Sequence, residues 1–302
     1  MVTVLATPTW QLNTQQFNVL DNNGVTWGIS STTGWYDGAP VRTRTTPRSQ
    51  ADGDYRSRSR FGGRTLQLNG WAKAPNGALA EAARWALLAL LGNDQVPLIW
   101  ISDYTARYAL VEVSDSSRIP PAANGAEFDF QLVLFQNDPR RFWYVAGSGL
   151  DTRSFGPVAA PGVSGGLDWS TGGGLDWSTG GGLNWGTTAS TGQVAITNPG
   201  TALAWPTLTL NAAGGTLTNP TITDTVTGYR LGYTGATMSG TDQLILNSLN
   251  KTVLRNGGDR SRELTIRQWE AIAPGATVTY ALTTTNPSDT GTLTVSLTPS
   301  DR

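Results

Sequence analysis

Along EFDFQLVLF, residues 127–135, Phe128, Phe130, Leu132 and Leu134 occupy every second position. That period of two predicts a strand with one face on a core. RTLQLNGW (64–71) repeats it with Leu66 and Leu68 on one face. PLIWI (97–101) reads as a short buried strand, and ARYALVEV (106–113) is rich in strand formers. Between these runs lies NGALAEAARWALLALLG (76–92), apolar almost all round from Ala82 to Leu91, which predicts a helix. Asn76 is placed to cap its start, Gly92 to end it, and Glu81 and Arg84 to pair one turn apart. Two placements stay open for this helix. It is buried within its own domain, or it packs one face on the local sheet and turns the other, with Trp85 and Leu88, to a neighbouring subunit.

After residue 190 the composition becomes rich in Thr and Gly, and short strands recur. They are AWPTLTL (204–210), NPTITD (219–224), GYRLGY (228–233), DQLILN (242–247), KTVLR (251–255), RELTIRQ (262–268), ATVTYALT (276–283) and GTLTVSLT (291–298). Eight short strands with turn signals such as Asn256-Gly257 and Pro274-Gly275 describe a β-sandwich of jelly-roll type. The expected fold class is therefore mainly β: an α+β first domain with one main helix, then a sandwich. Three near-copies of an octad separate the halves: GGLDWSTG (165–172), GGLDWSTG (173–180) and GGLNWGTT (181–188). A flexible Gly/Ser linker has no need of Leu and Trp at fixed offsets. The octads read as an extended connector docked through Leu167, Trp169, Leu175, Trp177, Leu183 and Trp185, with these tryptophans expected to be buried. The expected division is 1–145, a connector over 146–190, and 191–302.

Composition then excludes much chemistry. The chain of 302 residues has no cysteine and no histidine. Thiolate nucleophiles, disulfides, Ser-His-Asp triads and histidine metal sites are ruled out. Most carboxylates lie in turn contexts and form no visible constellation. The octad differs in period and in glycine–aspartate spacing from the calcium-binding β-roll repeat. No phosphate-binding glycine loop occurs. Neither an enzyme nor a cofactor is expected. The N-terminus lacks a basic region followed by a long apolar run, so no signal peptide is expected. The longest apolar stretch, Trp85 to Leu91, is far short of the ~20 residues of a spanning helix. A net charge of −1 argues against a general nucleic-acid binder.

Charge is concentrated at one place. Seven of nineteen arginines lie in 42–64: Arg42, Arg44, Arg48, Arg56, Arg58, Arg60 and Arg64, giving +5 with Asp52 and Asp54. Pro47 and Asp52-Gly53 predict two long strands joined by a protruding turn. The alternation RSRSR puts several arginines on one face, suited to a partner protein's carboxylates. In the sandwich, Trp205, Tyr229, Tyr233 and Trp269 are candidates for a sugar-stacking platform, which keeps open an alternative function: recognition of host cell-wall glycan.

The order of several segments is distinctive. NDPRRFWY (137–144) follows the long alternating strand, then come the Leu-Trp octads and ITNPGTALAWPTLTL (196–210). NPTITDTVTGYRL (219–231), DQLILNSLNKTVLRNGGDR (242–260) and APGATVTYAL (273–282) follow. This arrangement resembles the distal tail proteins (Dit) of long-tailed, siphovirus-type bacteriophages, especially the minor tail proteins of actinophages. The resemblance implies a homo-hexameric ring at the distal end of the tail. The first domain would build the ring, with residues 42–64 as a belt and residues 76–92 as a contact helix. The second would be a galectin-like sandwich projecting outward. Implied partners are the tail tube protein, the tape measure protein, the tail-associated hub and receptor-binding proteins. DNA would cross the lumen as passing cargo, and no membrane would be involved. The protein would reside in the virion, at the tail tip, after synthesis in the host cytoplasm. The family brings no catalytic residue.

Overall fold

The computed structural model describes residues 8–57, 59–92, 94–114, 117–121, 125–161, 191–235, 237–286 and 288–302. The chain divides into two compact units, Met1–Asp151 with Ser300–Arg302, and Thr152–Pro299.

The first unit opens with β1 (Thr9–Leu12), β2 (Gln15–Phe17), β3 (Val19–Leu20) and β4 (Thr26–Thr33). Four short strands follow: β5 (Val41–Arg42), β6 (Thr45–Pro47), β7 (Asp54–Arg56) and β8 (Arg60–Phe61). Then come β9 (Arg64–Lys73), α1 (Gly77–Leu90), β10 (Val96–Ile101), β11 (Ala106–Val113), β12 (Glu127–Gln136), β13 (Arg141–Val145) and β14 (Gly149–Leu150). The main sheet runs β2-β1-β10-β11-β12-β9-β4-β3, with β13 pairing β11 off this path. Its long central pair is β12 with β9, in register from Glu127↔Lys73 to Gln136↔Arg64. The alternating faces read from the sequence meet there, and Leu66, Leu68, Phe128, Phe130, Leu132 and Leu134 are all buried.

Aromatics fill this core edge to face. Trp27 packs on Phe17 and Phe128 with ring centroids 5.9 Å apart in each pair. Trp10 meets Trp35 at 5.2 Å. Such contacts add to the burial of large apolar area. Two glycines let the strands close on ring side chains, exposed Trp71 and core Phe130. A Cβ on Gly28 would lie 2.4 Å from the Trp71 indole, and one on Gly70 would lie 2.4 Å from the Phe130 ring. Helix α1 starts as its sequence dictates, with the Asn76 side chain accepting from the Leu79 amide at 2.9 Å. It stops at Leu91, one residue before Gly92, where the Leu91 N–H bonds back to the Leu88 carbonyl. Its buried residues are Ala80, Ala83 and Leu87.

The second unit contains β15 (Arg153–Ala159), β16 (Gln193–Thr197), β17 (Thr207–Asn211), β18 (Thr216–Leu217), β19 (Thr221–Asp224), β20 (Arg230–Tyr233) and β21 (Met238–Ser239). It continues with β22 (Gln243–Asn247), β23 (Thr252–Arg255), β24 (Gly258–Asp259), β25 (Leu264–Arg267), β26 (Thr277–Thr283) and β27 (Thr292–Leu297). One sheet is ordered β15-β27-β17-β22-β23-β24, the other β16-β26-β19-β20-β25. All pairs are antiparallel, and one core includes Leu208, Leu210, Leu246, Ile222, Leu282 and Val295. Asn256 and Gly257, with φ of 50° and 82°, make the two-residue turn between β23 and β24. An Asn-Gly pair is suited to that turn because both positions need positive φ. Part of the expected connector is strand: residues 149–150 and 153–159 carry β14 and β15, and residues 162–190, with all three octads, lie outside the described residues. The last strand, β28 (Ser300–Asp301), pairs with β13 in the first unit.

A buried side chain ties two loops of the sandwich. Asn198, fully buried, donates to the Ala202 carbonyl at 2.8 Å and the Ile272 carbonyl at 3.0 Å. Its oxygen accepts from the Gly200 amide at 3.0 Å. Asn198→Ala should take the partner from the Ala202 carbonyl and the Gly200 amide, while the Ile272 carbonyl keeps the Ala204 amide, and cost about 1–3 kcal/mol. Chemical denaturation of the variant, followed by tryptophan fluorescence, measures this directly.

Candidate assembly interface

The arginine cluster folds as an arm. β5 pairs β8 as Val41↔Phe61 and Arg42↔Arg60, and β6 pairs β7 as Thr45↔Arg56, Thr46↔Tyr55 and Pro47↔Asp54. The two ladders differ in register by one residue, so the arm is two short ribbons and not the two long strands expected. A side chain's face cannot be carried by simple alternation across such a shift. Every described residue from Pro40 to Phe61 is exposed, including Val41, Tyr55 and Phe61. Arg42, Arg44, Arg48, Arg56 and Arg60 all project from this arm, while Arg58 lies outside the described residues. Within the arm, the Arg48 guanidinium covers the Tyr55 ring at 5.1 Å.

Arg64 is set apart from the other six. It is 4% exposed and lies at the arm's root. Its guanidinium donates to the Asp37 carbonyl at 2.9 Å and to the Pro139 carbonyl. Burial, then the neighbouring Arg141, hold its pKa below the usual guanidinium value, with Asp37 opposing. The sequence carried a signal for this: Arg64 shares its parity with Leu66 and Leu68, so its side chain starts toward the core.

Helix α1 presents a second surface. Ala78, Ala82, Trp85, Ala86 and Ala89 are exposed, at spacings that place them along one stripe. Trp85 is 60% exposed, with the Arg84 guanidinium 4.8 Å from its ring centre. Arg84 is itself held by Glu81 at 2.8 Å. Leu88 is half-buried and packs on the first unit's core. Of the two placements open from sequence, full burial within the domain is therefore not the one seen.

Charge is divided between the arm and its unit. Six arginines against two aspartates leave residues 41–62 at +4. The rest of the first unit has eight Lys and Arg against twelve Asp and Glu, leaving −4.

The sandwich offers less. Tyr233 is a core residue, 2% exposed, donating to Glu263, so it is no part of a sugar platform. Trp205 and Trp269 are half-buried, and Tyr229 is exposed. Two acids do come together. The Thr227 hydroxyl oxygen lies 2.7 Å from Asp224 and 2.9 Å from Glu270. One hydroxyl has one proton to give, so the arrangement is satisfied when one carboxyl is protonated. Burial, opposed by Thr227 and reinforced by Asp224, raises the Glu270 pKa above its ordinary value. Burial, then Asp224 and Glu270, push the Tyr280 hydroxyl up. The cavity lined by Asp224, Glu270 and Tyr280 measures about 10 Å³, room for about one water. Elsewhere Asp242 is held down to about 2 by the Ser239 amide, Arg255 and Asn256.

Among the described residues, no group of three or more acids is placed to hold a metal ion, and no helix is long and apolar enough to cross a membrane.

No protein-family model matches the chain, and no curated protein matches it. Solved structures do. The SPP1 Dit (gp 19.1) protein, a paradigm of the hub adsorption apparatus in phages infecting Gram-positive bacteria, is similar at a TM-score of 0.64 and 14% identity, over 98% of this chain and 99% of that one. A chain of the phage P2 baseplate in its activated conformation with Ca is similar at 0.52 and 7% identity, over 97% of this chain and 98% of that one. The same baseplate with Sr gives 0.50 and 8%, over 96% and 98%. In fold, the chain is similar to these phage tail hub and baseplate components over nearly its whole length.

Asp242 and Glu270 should act oppositely on stability. Asp242 is depressed, so its contribution is present above the ordinary aspartate range and is lost as pH falls toward about 2. Glu270 is raised, so its contribution is present below about 4.5, its ordinary value, and is lost as pH rises through its folded value. In melting temperatures scanned across pH, Asp242→Asn should flatten the acid limb, and Glu270→Gln should flatten the decline above that ordinary value.

Proposed function

We propose that this chain is a structural protein of a phage tail tip, a hub that self-assembles as a hexameric ring joining the tail tube to the host-adhesion apparatus. The observation that carries the reading is the exposed +4 arm on a unit that is otherwise −4, within a fold shared over nearly the whole chain with tail hub proteins. The arm has no packing of its own, and a lone two-stranded hairpin is marginal in water. A second copy supplies the charge and the surface that it lacks. The apolar stripe around Trp85 suits the same use, since aromatic anchors dominate interface energetics. The first unit builds the ring, and the sandwich serves as an outward mount for receptor-binding proteins. The tail tube protein, the tape measure protein and the tail-associated hub meet the ring, and DNA passes through its lumen. The octads connect the two halves. The protein is made in the host cytoplasm and ends in the virion. Its role requires neither catalysis nor a cofactor.

Two sets of variants test this by light scattering after size exclusion. Wild type should reach six times the 32.1 kDa chain mass. Glu at Arg56, Arg58 and Arg60 takes the arm from +4 to −2, and should leave single folded chains. Trp85→Ala should change folding stability by less than about 0.5 kcal/mol because the site is exposed. The same change should weaken association by about tenfold or more. Unaltered assembly in both would refute the reading.

A further inference from the structure

We infer that Asp301 and Arg302 are positioning residues for the arm, with Ser300–Arg302 forming a strap that sets the arm's root. The inference rests on the proposed role of the arm only for its consequence in assembly.

An arm exposed along its whole length takes its direction from its root. The outgoing side is held by two guanidiniums, that of buried Arg64 and that of half-buried Arg141. Arg64 donates to the Asp37 carbonyl, and Arg141 donates to the Trp35 carbonyl at 2.6 Å with its guanidinium 5.9 Å from the Trp35 ring centre. The returning side closes with the Gly62 amide donating to the Pro40 carbonyl at 2.7 Å. The strap engages both. Its strand lies on β13 as Arg141↔Asp301 and Phe142↔Ser300, with Ser300 fully buried. Arg141, while holding Trp35, also donates to the Arg302 carbonyl. The Arg302 guanidinium lies 4.7 Å from the ring centre of Phe61, the last residue of the arm's return strand.

Asp301 locks the strap in place. Its Oδ2 accepts from Arg107 Nε, from Arg107 Nη2 and from the Trp143 indole, each at 2.8 Å. Arg107 also stacks over Trp143 at 5.1 Å. Both partners of this ion pair are mostly buried, which makes the lock stronger than a surface pair. A chain of contacts thus runs from Arg107 and Trp143 through Asp301 and Arg302 to Phe61, and through Arg141 to Trp35. Asp301 and Arg302 act on the arm without forming its outer surface.

Hydrogen exchange of the full chain, read on species of one mass, tests this. The reporters are the amides of Gly62 and of Ser57, which donates to the Arg44 carbonyl, against the Leu66–Leu68 amides of β9. Arg302→Ala should speed exchange of the reporters about threefold, with β9 unchanged. Asp301→Asn should speed them about tenfold, again sparing β9. Arg302→Lys keeps the charge and should recover part of the protection. Unchanged arm amides in the first two variants would overturn the proposal. So would equal acceleration in the arm and in β9, because the strap would then serve the sheet and not the arm. A faster arm with unchanged assembly mass would leave the positioning role standing and remove the arm from assembly.

Discussion

A hairpin with no core of its own is the constraint around which this molecule is organised. From Pro40 to Phe61 every described residue faces solvent, so the arm gains almost no apolar burial in the isolated chain. Ordering each residue costs about 1–2 kcal/mol of backbone entropy, which intrachain contacts here do little to offset. Its aromatic residues, Tyr55 and Phe61, lie under guanidiniums and not in a core. Such an element makes physical sense when another surface completes it. The charge division points the same way, because a +4 arm and a −4 body repel their like in the neighbouring copy and attract their opposite.

Each of the two units has the buried core that the arm lacks. The first has its long β9–β12 pair locked by leucines and phenylalanines and crossed by edge-to-face aromatics. The second is a two-sheet sandwich, two of whose loops are pinned by buried Asn198. Its acid pair, Asp224 and Glu270, shares the exposed Thr227 hydroxyl beside a cavity of about 10 Å³. The root of the arm is where the first unit commits Arg64 and Arg141.

Local rules carried much of this fold. Period-two runs placed β9 and β12, the Asn76 cap placed α1, and Asn256-Gly257 placed a tight turn. What escaped is non-local or irregular. In β15, Gly156 and Pro157 interrupt the alternation where the register shifts between Phe155 and Val158, so the segment reads as linker. β28 exists because Ser300 and Asp301 find β13, about 160 residues earlier, and two polar residues carry no period. The register shift inside the arm comes from pairing, which composition does not encode. Arg64 shows the reverse case. Clustered in sequence with the arm's arginines, it is separated from them by parity alone, and the parity was legible.

If the arm is an intermolecular element, its tip lies against another copy in the assembled protein. Because the chain has no cysteine, Ser49→Cys gives a single thiol near the arm's tip for a photoactivatable cross-linker. Mixing isotopically heavy and light protein before illumination separates links within a chain from links between chains. Mixed heavy–light links from this position to the first unit of another copy are expected. Links confined to one chain, at concentrations where the protein is assembled, would contradict an intermolecular role for the arm.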